Sequence, residues 1–411
     1  MNTKKIECPE GKKRILIFSL TYLPYVGGAE LAIKEETDRI SDFEFDMITL
    51  RFDRDLAKFE KIGNINIYRI GFSSRSINAD DLVKFPLKIN KYLFPFLAFF
   101  KARGLHQKNL YDAIWAMMAN YASFGALFFK MINKKIPYLL TLQEGDPLEY
   151  YRQRIGVLFK LFKQVFTKAD FVQVISNYLG RYACDMGFQG EPILIPNAVD
   201  VVHFSQEYSP EELDNLKRKF SNSVEDRFII TTSRLVTKNA VDDVVSAFEF
   251  LPKNIKFLIL GTGPDELKLK ELVKKKNLDK QIIFLGHVEH TLIPKYLKIA
   301  DIFIRPSRSE GFGNSFVEAM AAGVPVIATP VGGIVDFLFD LENKNNKKPT
   351  GVFCELNNPE DIAQKIKMLI DDPDLKNRIV KNAKEMVLEK YDWKKISYQM
   401  ENLFKKICSE K

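Results

Sequence analysis

The stretch from Ser307 to Gly333 constrains the fold more than any other part of the sequence. It follows a short apolar run, Ile302–Ile304, which predicts a buried strand, and it continues through a polar, glycine-containing turn into a helical pattern. Asn314 or Ser315 is expected to cap the start of that helix, and Gly323 is expected to end it before the next buried strand. This order indicates a parallel α/β sheet. The turn then lies at the carboxyl end of a strand, where open α/β sheets bind their ligands.

Two carboxylates lie in and just after the predicted binding turn. Glu310 is in the turn and Glu318 is about one turn into the helix. A carboxylate can accept two hydrogen bonds from a vicinal diol, and the backbone N–H groups of Gly311, Phe312 and Gly313 could face an anion or a sugar hydroxyl. From these residues alone, the alternative is that both glutamates are solvated and the glycines only form a turn.

The order of residues in this stretch resembles the donor-site signature of glycosyltransferase family 4. A glutamate precedes Gly-Phe-Gly, a second glutamate follows after seven residues, and Ala-Met-Ala-Ala-Gly-Val-Pro-Val-Ile-Ala comes next. Members of that family are retaining enzymes that use nucleotide-activated sugars and have two Rossmann-like domains, the GT-B arrangement. The resemblance implies that Glu310 orients the donor sugar and that Glu318 binds the ribose hydroxyls.

The predicted fold class is therefore α/β, with two Rossmann-like domains that face each other across a cleft. We expect residues 1–197 to form an acceptor-side domain and residues 198–390 to form a domain that binds the nucleotide sugar. Residues 391–411 are expected to form a helix that crosses back to the first domain. Helix-like segments alternate with short β-rich runs over the 411 residues, as parallel α/β architecture requires. Pro196–Asp200 resembles the hinge between the domains of this family.

Two cations four residues apart follow the first predicted strand of the second domain. Arg234 and Lys238 could bind two phosphates, one with a guanidinium fork and the other with a point charge. The alternative is that both are ordinary surface charges. In the family, the arginine and lysine that bind the diphosphate fall on these two positions, although Asn239 replaces a glycine that often follows the lysine. Val288 lies in a loop that the family places near the nucleotide base.

Two loops of the first domain are candidates for the other side of the cleft. Gly27 and Gly28 join a strand to a helix, so the backbone there could approach a phosphate, or the pair could merely relieve crowding. The resemblance places them opposite the donor phosphates. Gln143 occupies a position between donor and acceptor where the family commonly has a histidine. Glutamine can position a sugar, but it cannot take up a proton in the working pH range.

The net charge of +8 fits anionic ligands or an anionic surface, and no nucleic-acid motif accompanies it. Leu82–Leu110 and Arg152–Lys168 contain no acids and combine basic with aromatic residues, a composition typical of elements that contact anionic lipid. The alternative is that both segments are helices that pack on the sheet with solvated lysines. The scattered cysteines, the polar N-terminus and the shortness of the apolar runs predict a cytoplasmic protein, with contact at the inner face of the membrane as a further hypothesis.

Metal catalysis has little support in the sequence. Of the two Asp-x-Asp spacings, Asp53/Asp55 lies in a loop without a partner motif and Asp372/Asp374 is typical of a turn that caps a helix. The four histidines do not occur at ligand spacings. We therefore expect no metal and no cofactor other than the nucleoside-diphosphate sugar donor. The predicted function is transfer of a hexosyl unit to a hydroxyl of a glycan, lipid-linked or small-molecule acceptor. The alternatives are a sugar-nucleotide epimerase or hydrolase and a non-catalytic nucleotide-sugar-binding protein.

Overall fold

Two mainly parallel β-sheets, one from each half of the chain, form the centre of the protein. The computed structural model describes residues 12–25, 27–74, 85, 87–146, 156–221, 223–342 and 347–409. The strands of the first sheet are β1 (Lys13–Phe18), β2 (Phe43–Leu50), β3 (Phe59–Ile62), β4 (Ile65–Ile70), β5 (Ala113–Met117), β6 (Tyr138–Leu142), β7 (Phe171–Val174) and β8 (Ile193–Leu194). The strands of the second are β9 (Arg227–Thr232), β10 (Ile255–Leu260), β11 (Ile282–Gly286), β12 (Ile302–Arg305), β13 (Val326–Ala328) and β14 (Val352–Phe353).

The strand orders are those of two doubly wound sheets. The first sheet runs β3-β4-β2-β1-β5-β6-β7-β8 and the second runs β11-β10-β9-β12-β13-β14. Within the described residues every pairing in these sheets is parallel except that of β3 with β4. The central strands read as continuous apolar runs because helices cover both faces of each sheet. The strand predicted at Ile302–Ile304 is completely buried, as that argument requires.

Helices follow most of the parallel strands and cover the sheets. In the first half of the chain they are α1 (Gly28–Arg39), α2 (Lys88–His106), α3 (Tyr121–Ile132), α4 (Phe159–Thr167) and α5 (Asn177–Asp185). In the second half they are α6 (Val201–Ser205), α7 (Pro210–Arg218), α8 (Val241–Ala247), α9 (Glu266–Lys275), α10 (Ile293–Lys298), α11 (Asn314–Ala322), α12 (Pro359–Asp371), α13 (Pro373–Lys390) and α14 (Trp393–Ser409). Of the segments predicted from sequence, residues 82–84, 86 and 152–155 lie outside the described residues.

The last helix returns to the first sheet. The ring of Phe404 in α14 lies 5.9 Å from that of Phe45 in β2 and 5.2 Å from that of Trp115 in β5, between ring centroids. The chain passes between the two halves a second time near Tyr391, whose carbonyl accepts a hydrogen bond of 2.9 Å from the Val199 N–H. The α/β class, the paired Rossmann-like sheets and the crossing helix are thus confirmed. The boundaries at residues 197 and 390 stay a prediction.

The two halves also pack directly on each other beside the cleft. The rings of Phe312, Phe337 and Tyr391 lie 5.2–6.2 Å apart, between centroids, in a cluster buried among residues of both halves. Asp336 accepts hydrogen bonds from the backbone N–H of Asn177 (2.7 Å) and from its side-chain amide (3.1 Å). The loops at the carboxyl ends of the two sheets are therefore in contact.

One local prediction for the binding turn is wrong. Neither Asn314 nor Ser315 caps α11, because the cap position is taken by Gly313, whose φ of 95° lies in the left-handed region. The hydroxyl of Ser315 instead accepts a hydrogen bond from Arg305. The end of the helix is as predicted, since Gly323 is its C-cap with a φ of 82°.

Candidate active site

The Glu310 carboxylate is held by partners on both oxygens. Its Oε2 accepts a hydrogen bond of 2.7 Å from Nη2 of Arg305, and its Oε1 accepts one of 3.2 Å from the backbone N–H of Gly311. The Glu310 carbonyl accepts a further bond of 3.1 Å from the Gly333 N–H. Only 13% of the Glu310 side chain is exposed. Glu310 was predicted from the sequence but Arg305 was not, although its charge directly follows three apolar residues.

The second carboxylate, Glu318, is buried in α11 and faces a histidine. Nε2 of His290 lies 3.3 Å from Oε1 of Glu318. This hydrogen bond is the main cause that raises the pKa of His290, against the opposing effect of its desolvation. The His290 ring also stacks on that of His203, with 6.1 Å between centroids. Sequence spacing gave no indication of this contact, because 28 residues separate the two partners.

Lys238 reaches across the cleft to the first half of the chain. Its Nζ lies 3.2 Å from Oδ1 of Asp146. The loop that carries Lys238 and Arg234 is tied at two points. The side-chain amide of Asn239 donates a hydrogen bond of 2.7 Å to the Arg234 carbonyl, and the N–H of Arg308 donates one of 2.7 Å to the Lys238 carbonyl. Both predicted phosphate-binding cations therefore lie on a braced loop after β9.

Three of the predicted site groups converge on Gly145, in the loop after β6. A Cβ atom at Gly145 would lie 2.9 Å from Nζ of Lys238, 3.6 Å from Oε1 of Glu310 and 3.6 Å from the backbone N of Gly311. The two loops also approach each other at Glu144, the residue before Gly145. A Cβ atom at Gly311 would lie 2.2 Å from the carbonyl oxygen of Glu144. Glycine is required at Gly311, because a side chain there would collide with the backbone of the facing loop, whereas at Gly145 the nearest atom is the end of the flexible Lys238 side chain.

Gln143 belongs to a chain of side-chain amides that joins the two halves. Its amide nitrogen donates to Oδ1 of Asn197, and the amide nitrogen of Asn197 donates back to Oε1 of Gln143, each at 3.0 Å. The Asn197 amide also donates to Oδ1 of Asn314, the first residue of α11, at 3.2 Å. The structure thus places Gln143 in the cleft, next to the helix that carries Glu318.

The paired glycines of the first domain lie at the start of α1. The N–H of Gly27 donates a hydrogen bond of 2.9 Å to Oε2 of Glu30, whose other oxygen accepts one from the hydroxyl of Thr21. A Cβ atom at Gly28 would lie 3.7 Å from the side-chain amide of Asn314. Gly28 therefore faces the start of α11 from the opposite side of the cleft.

Three further candidates, Phe312, Val288 and Gly313, serve the packing or the backbone geometry of the loops. Phe312 is 1% exposed and its ring belongs to the aromatic cluster between the two halves, so only its backbone could meet a ligand. Val288, in the loop after β11, is partly buried against the main core. Gly313 provides the left-handed turn into α11. None of these three positions has a side-chain functional group that could do chemistry.

A buried carboxyl that was not predicted from the sequence lies directly after Gln143. Glu144 is 1% exposed, and one of its oxygens accepts a hydrogen bond from the backbone N–H of Ala119. Its Oε2 has no hydrogen-bond partner among the described residues. Burial raises the pKa of Glu144 to about 7, and the charge of Asp146 adds to that effect. A buried carboxyl with a raised pKa therefore lies next to Gln143 in the loop after β6.

The Asp-x-Asp pairs lie in turns. The side chain of Asp53 accepts a hydrogen bond of 2.9 Å from the N–H of Asp55, and that of Asp372 accepts one of 2.9 Å from the N–H of Leu375 and caps α13, as predicted. Over the described part of the chain, no three His, Cys, Asp or Glu side chains come together in a way that could hold a metal ion. No described helix combines the length and the apolar character needed to cross a bilayer.

Comparisons with known proteins identify the family. The model of "Glycosyl transferases group 1" matches residues 213–386. A glycosyltransferase of Methanocaldococcus jannaschii is 27% identical over 388 residues, which cover 91% of this chain and 93% of that protein. The alpha-monoglucosyldiacylglycerol synthase of Acholeplasma laidlawii is 30% identical over 281 residues, 67% of this chain and 65% of that protein. HepE of Anabaena, solved in complex with UDP-glucose, superposes with a TM-score of 0.75 at 18% identity, over 96% of this chain and 99% of that chain. The chain belongs to the group 1 glycosyltransferases and has their GT-B fold.

Proposed function

We propose that the protein transfers a hexosyl unit from a nucleoside-diphosphate sugar to a hydroxyl group, with retention of anomeric configuration and without a metal. The observation that carries this proposal is the convergence of Lys238 Nζ, Glu310 Oε1 and the Gly311 N–H on Gly145. A cation, a carboxylate and a backbone donor meet there between the two domains. A diphosphate sugar needs those three kinds of group, for its phosphates and for its hydroxyls.

The donor is proposed to lie along the second domain. Arg234 and Lys238 bind the diphosphate, Glu318 accepts hydrogen bonds from the ribose hydroxyls, and the loop at Val288 lies near the base. Glu318 is suited to this role because its carboxylate faces His290, a side chain that is 54% exposed. HepE has been solved with UDP-glucose, so UDP-sugars are the first donors to test.

The proposed reaction needs no side-chain base. The bond between the anomeric carbon and the leaving phosphate oxygen breaks while the acceptor oxygen forms a bond to that carbon on the same face. The acceptor proton passes to the leaving phosphate oxygen, so the nucleoside diphosphate leaves and the charges balance. Glu310 orients the donor hexose, and Gln143 positions it from the first domain. Arg234, Lys238 and the N–H groups at the start of α11 stabilise the charge that develops on the diphosphate.

A donor panel tests this function directly. We expect one of the UDP-, GDP- or ADP-hexoses to give a glycosylated acceptor, with equal rates in EDTA and in buffer, and an α-product from an α-donor by NMR. Rescue by manganese after inactivation with EDTA would contradict metal independence, and a β-product would contradict retention. Turnover of the nucleotide sugar that never glycosylates an added acceptor would favour an epimerase or hydrolase. Tight binding without turnover would favour a binding protein.

We further propose that the protein works at the cytoplasmic face of an anionic membrane on a lipid-linked acceptor. One face of α2 packs on the sheet through Phe94 and Ala98, as the packing alternative required. The other face exposes Tyr92, Phe96 and Phe100, four residues apart, to 47%, 56% and 65%. These three rings lie among basic side chains on a segment without acids. The relative from A. laidlawii is named for a glycolipid product, which supports testing lipid acceptors.

Flotation with liposomes tests the membrane proposal. Attraction to an anionic surface is worth about 1 kcal/mol for each basic residue near it and weakens with salt. We expect the protein to float with anionic liposomes at low salt and not with neutral ones. The Phe96→Ser/Phe100→Ser variant should float less, while Leu267→Ser should float like the parent, because Leu267 is 76% exposed on the second domain. Equal flotation of the three proteins would contradict the assignment to α2.

A further inference from the structure

An arginine is buried at the end of β12, directly before the binding turn. The preceding residues Ile302, Phe303 and Ile304 are all 0% exposed, and Arg305 itself is 7% exposed. A guanidinium is costly to bury unless a charge and hydrogen bonds compensate it. Its contacts therefore indicate why a cation is present where the strand would otherwise continue with an apolar residue.

The guanidinium of Arg305 is enclosed by the binding turn. Nη2 donates a hydrogen bond of 2.7 Å to Oε2 of Glu310, and Nη1 donates one of 2.8 Å to Oγ of Ser315. The guanidinium carbon lies 4.3 Å from the centroid of the Phe316 ring. A Cβ atom at Gly313 would lie 3.2 Å from Nη2, so the turn closes tightly around the cation. Arg305 thus connects the Glu310 carboxylate to the first turn of α11.

This arrangement is poorly suited to stability alone. Nε of Arg305 is buried and has no hydrogen-bond partner among the described residues. Replacing a buried ion pair with apolar or neutral groups is often neutral or stabilising, whereas removing one partner leaves an uncompensated charge. The pair of Arg305 and Glu310 is therefore better explained by what it does to the carboxylate than by its contribution to folding.

We propose that Arg305 is a positioning residue for glycosyl transfer: it fixes Oε2 of Glu310 so that the carboxylate presents one orientation to the donor hexose. This inference rests on the proposed function of Glu310. Arg305 acts through Glu310, and it does not itself need to contact the donor. The expected signature is a loss of turnover with an unchanged affinity for the nucleotide.

The test compares Arg305→Met, which keeps the bulk, with Arg305→Lys, which keeps the charge. We expect Arg305→Met to lower kcat about tenfold to a hundredfold, the range seen when a catalytic group is misplaced by about an ångström. Its affinity for UDP, or for whichever nucleoside diphosphate the parent binds, should stay within about twofold of the parent by calorimetry. Arg305→Lys should recover part of kcat. Arg227→Met is the matched control, because Arg227 begins β9 at the opposite end of the sheet and is 51% exposed.

A double-mutant cycle separates positioning from packing. If Arg305 acts through Glu310, the double variant Arg305→Met/Glu310→Gln should have the same kcat as Glu310→Gln alone and a melting temperature near that of the parent. Independent losses that multiply, or a kcat of Arg305→Met equal to the parent's, would overturn the inference. Should Arg305→Met fail to fold, Arg305→Lys and the double variant supply the same comparison. A parent that transfers no hexose from any nucleotide donor would instead reject the proposed function.

Discussion

Replacing Glu144 by glutamine should stabilise the protein at alkaline pH and leave it nearly unchanged at acidic pH. The carboxyl is 1% exposed, one oxygen accepts the Ala119 N–H, and burial raises its pKa to about 7 from an ordinary value of 4.5. Glutamine has the same shape, can accept the same hydrogen bond and carries no charge. The substitution therefore removes the ionisation and little else.

The size and sign follow from proton linkage. Between pH 4.5 and pH 7 the folded protein keeps a proton on Glu144 that the unfolded chain has lost, so stability falls as pH rises through this range and then levels off. One pKa unit corresponds to about 1.4 kcal/mol, so the ionised carboxyl opposes folding by about 3 kcal/mol above pH 7. With an unfolding entropy of about 2.1 cal/mol/K per residue, this free energy amounts to a shift of about 3–4 °C in melting temperature.

Calorimetric melting of parent and variant at pH 5.5 and pH 8.5 provides the assay. We expect the difference in melting temperature between Glu144→Gln and the parent to grow by about 2 °C from the lower to the higher pH, because about 2 kcal/mol of the penalty arises between these two pH values. Glu191→Gln removes an exposed carboxylate and controls for the change in net charge. For Glu36→Gln the difference in melting temperature from the parent should also grow with pH. This growth should continue to a higher pH than for Glu144→Gln, because burial raises the pKa of Glu36 to about 8. A difference for Glu144→Gln that is the same at both pH values would refute the reasoning.

Three further substitutions test the groups around the donor. Lys238→Ala should weaken binding of the nucleoside diphosphate by about 1.5–3 kcal/mol, the value of a charge-assisted hydrogen bond, whereas Lys348→Ala, at a side chain 77% exposed, should bind like the parent by calorimetry. Gln143→Ala should lower turnover moderately and leave nucleotide affinity unchanged; parent-like kinetics with every donor and acceptor would contradict its role. His290→Gln should lower the melting temperature most below about pH 6.5, where the imidazole is charged. This difference should shrink as the pH rises through the raised pKa of His290, and a constant difference would show that the contact with Glu318 is not ionic.

The parts of the fold that depend on local patterns could be predicted from the sequence. Strands buried on both faces are apolar runs, so Ile302–Ile304 could be located from composition alone. Gly323 could be placed because a helix that ends in the left-handed region favours glycine. The order of glutamates and glycines between Glu310 and Glu318 then indicated the family, which the comparisons confirm. Each of these signals lies within about ten residues of the structure it predicts.

The partners of the site residues could not be predicted, because they come from distant parts of the chain. Lys238 meets Asp146, and Glu318 meets His290, through loops that only the folded sheets bring together. The sequence also could not show that the Phe312 side chain packs on Phe337 and Tyr391, which leaves only the backbone of Phe312 for the predicted binding turn. A binding motif specifies which residues are present, and the packing of the two domains decides which of their atoms remain available.

The predicted site groups with known contacts differ in how firmly their partners hold them, and this difference predicts which contacts change when a donor binds. Lys238 faces Asp146, which is 54% exposed, and Glu318 faces the equally exposed His290. Because Asp146 and His290 are themselves more than half exposed, water can solvate them when they leave, and a diphosphate and a ribose can take their places beside Lys238 and Glu318. Arg305 and Glu310 are both more than four-fifths buried, and separating them would leave an uncompensated charge. Donor binding should therefore replace Asp146 beside Lys238 and His290 beside Glu318, and it should leave the pair of Arg305 and Glu310 intact. The hexose then meets a Glu310 carboxylate whose orientation was set before the donor arrived.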